Sequence, residues 1–304
     1  MNTNLLGTYV NGNTIVAMYD DGTKVRYTKD GESPAPEYPE SMDLKITNCC
    51  DLGCPMCAEQ SSPDGSHAPL DIPLIKSIHP HTELAIGGGN PLSHPQLSAF
   101  LHYMDFRNVI CNLTVNAVHF MDNIARLKEL CDRKLIHGLG ISVPTAVPDG
   151  LIPALTDFPN AVVHTIAGVT PWAVYEALAD HDLNLLILGF KAKGNGWSYF
   201  NNDALRVVQS ACDLRHNLLN LRHRFKAVAF DNLAVTQLAL RDLLSPDEFD
   251  ELYMGDDGEF TMYIDLVTGR YGKSSTHELT KIDADTVSEL FQKLKAVPTP
   301  EEVD

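Results

Sequence analysis

From residue 42 onward the chain alternates short apolar runs with longer amphipathic stretches. The runs are MDLKIT (42–47), ELAIG (83–87), VICNLTV (109–115), LGISV (139–143), AVVHTIA (161–167), LNLLILG (183–189) and KAVAF (226–230). Each is bounded by Gly, Pro or polar residues, as strands are. Between them lie segments with helical spacing of apolar positions: PQLSAFLHYM (95–104), NIARLKELCDR (123–133), PWAVYEALAD (171–180) and NDALRVVQSACDL (202–214). A parallel neighbour needs a crossover of a dozen or more residues, so this alternation predicts βα units and a parallel sheet. Six or seven units predict an α/β fold built as a partial (β/α)6-type, TIM-like barrel.

The two ends follow other patterns. TYVNGN, TIVAMY, DDG and KVRYT place apolar and β-branched residues around two Gly-containing turns, which predicts a small N-terminal β-hairpin region. The linker GESPAPEYPES (31–41) is rich in Pro and Glu and is expected to be extended and exposed. At the other end Ser245 and Pro246 suit a helix start, Thr268-Gly269 a hairpin turn, and Asp283 the cap of a last helix that ends in a frayed PTPEEVD. The expected division is 1–41 for the hairpin region and linker, 42–244 for the barrel, and 245–304 for a C-terminal extension of helix, hairpin and helix.

Composition refines this picture. The 304 residues, 44% of them hydrophobic, suffice for a large core. There is no run of eighteen apolar residues, and MNTNLLGTYVNGN lacks a basic and an apolar signal region, so a soluble cytoplasmic protein without a membrane partner is expected. A net charge of −17 disfavours nucleic acid as a partner. One basic patch at 215–226, with Arg215, Arg222, Arg224 and Lys226, could bind a phosphate or an acidic partner; its plainer reading is a solvated helix end.

The chemistry concentrates in NCCDLGCPMCAEQ (48–60), which holds four of the seven cysteines. An odd count spread this unevenly does not read as a disulfide framework, so reduced thiols are expected. Cys50, Cys54 and Cys57 form CxxxCxxC on a loop just past the first barrel strand. Three thiolates on one tight loop can cap three corners of an iron–sulfur cube and leave the fourth open. Structural zinc is the competing assignment, but it wants four protein ligands, and Cys111, Cys131 and Cys212 are isolated.

This arrangement resembles the signature of the radical S-adenosylmethionine (SAM) superfamily. LAIGGGNPL (84–92) is similar to that family's glycine-rich stretch after the second strand, with Gly88, Gly89, Asn90 and Pro91 where two glycines, Glu and Pro are usual. The resemblance covers about residues 42–230. It implies a [4Fe–4S] cluster on Cys50, Cys54 and Cys57, with SAM chelated at the free iron and oriented by the glycine stretch and Asn90. It also implies Met56 and Gly168 beside the adenine, and Asn116 and Ser142 at ribose or carboxylate contacts. Met56 could equally be loop packing, and Asn116 and Ser142 turn residues.

By the same resemblance, an electron from reduced flavodoxin or ferredoxin cleaves SAM to methionine and a 5′-deoxyadenosyl radical, which takes hydrogen from a substrate. No catalytic residue is assigned beyond Lys191, which follows the sixth strand and could bind a substrate anion; Lys193 reads as a solvated cation. His67, His94, His119 and His164 read as structural, and Glu59 as an exposed loop acid. A small metabolite or nucleotide is the first expectation for the substrate. A peptide (maturase), a partner protein (glycyl-radical activase) or a nucleic acid are alternatives, and a non-catalytic iron–sulfur or zinc module comes last.

Overall fold

The computed structural model describes residues 4–19, 23–29 and 31–296. The DDG turn and the PTPEEVD tail lie outside the described residues. Strands β1 (Leu5–Asn11), β2 (Thr14–Tyr19) and β3 (Lys24–Thr28) form an antiparallel meander. Asn11, fully buried, ties it to the linker: its Oδ1 accepts from Glu37 N at 2.8 Å and its Nδ2 donates to Tyr38 O at 2.9 Å.

The linker departs from its expected exposure. Tyr38 packs with Tyr9, Val16 and Met18 and stacks on His79 at 3.6 Å, while buried Glu40 receives the Arg26 guanidinium at 2.8 Å. Proline and glutamate counts suggested solvent, but one aromatic ring and one paired carboxylate give the segment something to bury.

The second sheet carries the rest. In chain order it takes up β4 (Ser41–Thr47), β5 (Glu83–Gly88), β6 (Ile110–Asn116), β7 (Gly138–Ser142), β8 (Ala161–Ile166), β9 (Asn184–Leu188) and β10 (Ala227–Phe230), all parallel. Seven expected strands are thus present, each within two residues of its expected bounds. The extension adds β11 (Thr261–Asp265) parallel to β4, then β12 (Arg270–Gly272) and β13 (Thr280–Lys281) antiparallel. The order is β10-β9-β8-β7-β6-β5-β4-β11-β12-β13, an open sheet. It curls so far that Phe230, the last residue of β10, lines the same cavity as Asp43 of β4 and Thr261 of β11.

The helices are α1 (Pro73–Lys76), α2 (Leu97–Phe106), α3 (Ala117–Asp122), α4 (Ile124–Asp132), α5 (Leu151–Leu155), α6 (Trp172–Leu178), α7 (Asn195–Asn202), α8 (Ala204–Leu221), α9 (Asn232–Gln237), α10 (Pro246–Leu252) and α11 (Val287–Lys295). Alternation within each strand sorts the two faces of the sheet. Met42, Leu44 and Ile46 of β4, like Leu113 and Val115 of β6 and Leu139 and Ile141 of β7, are buried in the main core. The intervening residues give the opposite, concave face its polar character: Asp43, Lys45 and Thr47, then Asn112, Thr114 and Asn116, then Ser142 and His164. Among the described residues no helix is long and apolar enough to cross a membrane.

Candidate functional site

The cysteine loop leaves β4 at Thr47, whose Oγ1 accepts from Cys49 N at 3.0 Å and bonds His67 Nδ1 at 2.8 Å. Cys50 N donates to Ser62 O at 2.9 Å, and Cys57 N to Cys54 O at 3.1 Å, which folds the three cysteines into one compact turn. Two neighbours hold this turn through backbone. Asn90 N donates to Cys49 O at 2.7 Å, and Asn195 N to Cys57 O at 3.0 Å. Glycine makes both approaches possible: a Cβ at Gly89 would meet Cys49 O at 2.3 Å, and one at Gly194 would meet Ala58 O at 2.4 Å. Gly88, at φ +115°, comes equally close to Thr47 O.

All seven cysteines are free thiols. Burial pushes the Cys50 and Cys54 thiols up; Asp51, Cys57 and Cys49 raise Cys50 further, and Cys57 and Cys50 raise Cys54. Left alone, Cys50 and Cys54 therefore resist ionisation; a bound cation would supply the charge that makes thiolates of them. Cys49 turns its Sγ to Pro63 O at 3.4 Å. His119, buried and read as structural, reaches the loop as well: its Nε2 lies 2.7 Å from Asp51 Oδ1, and that bond holds the Asp51 carboxyl below its ordinary range. Cys50, Asp51 and His119 together offer donors within 4.8 Å of one another. The Asp51–His119 hydrogen bond itself accounts for that closeness.

The remaining expected residues divide into two groups. Met56 is buried with Val169, Phe190 and Val207 in a small apolar cluster beside Cys54. Gly168 packs into the same cluster, where a Cβ would sit 2.9 Å from Val207. Ser142 ends β7 in register with Asn116 and His164 on the concave face. By contrast, Asn90 Oδ1 accepts from Leu92 N at 3.1 Å and Asn116 Oδ1 from Val118 N at 3.0 Å, so both side chains cap the turns they begin.

Lys191 Nζ donates to Ser275 Oγ at 2.8 Å and Lys193 Nζ to Ser275 O at 2.7 Å. Lys193 is therefore not a solvated cation: burial, with Lys191 and Lys45 nearby, lowers its ammonium against the pull of Glu59 and Asp265. Nor is Glu59 an exposed acid. It takes Lys45 Nζ at 2.6 Å and lies 3.7 Å from Lys193 Nζ. Lys45 also meets Asp265 at 3.3 Å. Burial alone would depress the Lys45 ammonium, but Glu59 and Asp265 outweigh it and hold it above its ordinary value. This network, spanning β4, the cysteine loop and β11, was not anticipated. The alternation in MDLKIT, which puts Asp43 and Lys45 on one face, was the available signal.

The basic patch is largely spent within the fold. Arg224 forks to Asp180 at 2.7 Å and Glu176 at 2.9 Å, and Arg215 Nε donates to Leu238 O at 2.8 Å.

No protein-family model matches the chain. No curated protein matches it either. Solved structures do. SuiB of Streptococcus suis bound to S-adenosylmethionine is similar with a TM-score of 0.52 at 11% identity, covering 81% of this chain and 64% of that one. SuiB bound to the precursor peptide SuiA gives a TM-score of 0.57 at 8% identity, covering 96% and 90%. A further SuiB structure gives 0.54 at 10%, covering 90% and 84%. Likeness at such identity shows a shared fold.

Proposed function

We propose that this chain is a radical SAM enzyme, and that its curled sheet is the partial (β/α)6-type barrel of that superfamily. Cys50, Cys54 and Cys57 would hold a [4Fe–4S] cluster with one iron left for SAM. The observation that carries this reading is the three free thiols Cys50, Cys54 and Cys57 on one compact turn that Gly89 and Gly194 clamp by backbone contact. The fold shared with a protein solved with bound SAM supports it. A cluster held there would supply the electron for reductive cleavage of bound SAM.

The chain's own residues do the rest. Gly88 and Gly89 bring main-chain groups to the edge of the cysteine loop. Met56, Val169, Phe190 and Val207 offer an apolar wall suited to a nucleobase. Ser142 and Asn116 end their strands and Asn90 follows another, at the positions where a ribose or amino-acid moiety would lie. Lys45, Glu59 and Asp265 fix the loop to the extension, which helps keep water from the concave face. Reduced flavodoxin or ferredoxin would supply the electron. A small metabolite or nucleotide remains one substrate reading; the likeness to SuiB in its peptide-bound structure favours a peptide as the second.

The test is anaerobic reconstitution followed by dithionite and SAM. Iron and sulfide in nearly equal amounts and formation of 5′-deoxyadenosine are expected, both lost in Cys50→Ala, Cys54→Ala and Cys57→Ala and kept in Cys49→Ala. Tightly bound zinc without product would overturn the reading.

A further inference from the structure

The concave face carries polar side chains that the cysteine loop does not engage. His164 of β8 stands in register with Ser142 of β7, and one step down Thr114 of β6 pairs with Gly140 of β7; His164, Ser142 and Thr114 are all half-buried. The missing side chain at Gly140 lets the two rows close on each other. A Cβ there would meet His164 Cε1 at 2.4 Å, His164 Nε2 at 2.8 Å and Thr114 Oγ1 at 2.9 Å, so imidazole and hydroxyl lean over one bare spot of backbone. Yet they do not bond each other: among the described residues, the side chains of Thr114, Ser142 and His164 make no hydrogen bond or ion pair. Burial is the only influence on the imidazole, and it keeps the ring neutral, with one nitrogen donating and one accepting.

An independent observation is the open space beside them. Gly87 of β5 pairs with Lys45 of β4, and Ile86 with Leu113, so Gly87 and Thr114 follow as neighbours on the concave face. A Cβ at Gly87 would meet nothing within 4 Å. The bay so formed lies one step above the cavity of about 370 Å³ that Ala85 and Asn112 line, and one step below the strand ends at Asn116 and Ser142. Lys45, at the same level, already has Glu59 at 2.6 Å and Asp265 at 3.3 Å. An ion entering the bay would therefore find no free counter-charge, whereas polar side chains without partners favour a ligand that bonds them.

We propose that the bay over Gly87 holds the polar end of the substrate, and that His164, Thr114 and Ser142 recognise in it a neutral group of the amide kind, with N–H and C=O side by side. Imidazole and two hydroxyls offer both donors and acceptors, and an amide answers with both; a carboxylate only accepts and an ammonium only donates. That the bound group belongs to a substrate rests on the radical SAM reading; the binding itself does not.

The experiment uses the anaerobically reconstituted full chain at neutral pH and three probes of one shape, benzamide, benzamidine and benzoate, with affinities from ligand-detected NMR. Benzamide is expected to bind about tenfold tighter than either ion. His164→Phe keeps a ring without donor or acceptor, and Thr114→Val removes a hydroxyl at nearly constant volume; each should weaken benzamide about tenfold and erase its advantage over the ions. Gly87→Val fills the bay and should abolish binding while keeping the iron, because its Cβ has room. It leaves the three polar groups in place, so the test stays open should His164→Phe fail to fold. No binding of benzamide, equal binding of the three probes, tighter binding of an ion, or benzamide affinity kept in Gly87→Val would overturn the proposal. N-acetylglycinamide and uridine distinguish sources: tighter binding of the first supports a peptide amide, of the second a nucleobase edge. 5′-Deoxyadenosine formed by a chain that ignores benzamide would overturn the amide site and keep the enzymatic reading; benzamide bound by a chain that forms none would do the reverse.

Discussion

His164 stands on the concave face of β8 opposite Gly140, where a Cβ would lie 2.4 Å from its ring. Burial pushes the imidazole down to about 4. The unfolded chain therefore takes up a proton near pH 6.5 that the folded chain refuses, and stability falls as pH drops from about 6.5 toward 4, by at most about 3 kcal/mol. His81, His94 and His137 are lowered by burial too and add to the same limb. Urea midpoints are expected to fall over this range, with a shallower fall in His164→Gln; an unchanged slope would contradict the assignment. Lys45 makes a second prediction. Its side chain is 7% exposed between Glu59 and Asp265, so Lys45→Met strands buried Asp265 and takes the closest partner from half-buried Glu59, and should cost about 3 kcal/mol in urea unfolding, with reduced iron uptake. The compact turn carrying Cys50, Cys54 and Cys57 was legible because its cysteines are close together in sequence. Lys45, Glu59, Asp265 and Tyr263 were not, because tertiary packing alone joins them.

At the level of elements, all seven parallel strands could be read because each carries a buried face against helices and turn residues at its ends. The cap of α11 could not: Thr286 accepts from Glu289 N at 3.3 Å, while Asp283, the expected cap, pairs with Lys293 at 2.8 Å. Several capping residues in DADT made the register ambiguous. The glycine-rich end of β5 is where an element meets the site. Gly89→Ala puts a methyl 2.3 Å from Cys49 O, whereas the same change at Gly87 meets nothing within 4 Å. Gly89→Ala is expected to lose most of its iron, and Gly87→Ala to keep it, as measured on chains purified side by side. Equal retention would remove the glycine contact from the account of the site.

For the whole molecule, the sheet extends past β4 because the extension returns to add β11 on that edge. Alternating βα units gave no hint of this, since nothing in the sequence of the late hairpin says which strand it pairs with. The addition matters chemically: it brings Asp265 and Tyr263 to the concave face and Ser275 to the lysines after β9. The net charge of −17 and the internal pairing of Arg224 leave little to attract a polyanion. What the assembly does provide is a three-thiol turn above a polar, enclosed face. Electron paramagnetic resonance of the anaerobically reconstituted, dithionite-reduced chain tests that claim most directly. A [4Fe–4S] signal whose g-values shift on addition of SAM is the predicted result. A cluster signal indifferent to SAM, or no cluster at all, would contradict it.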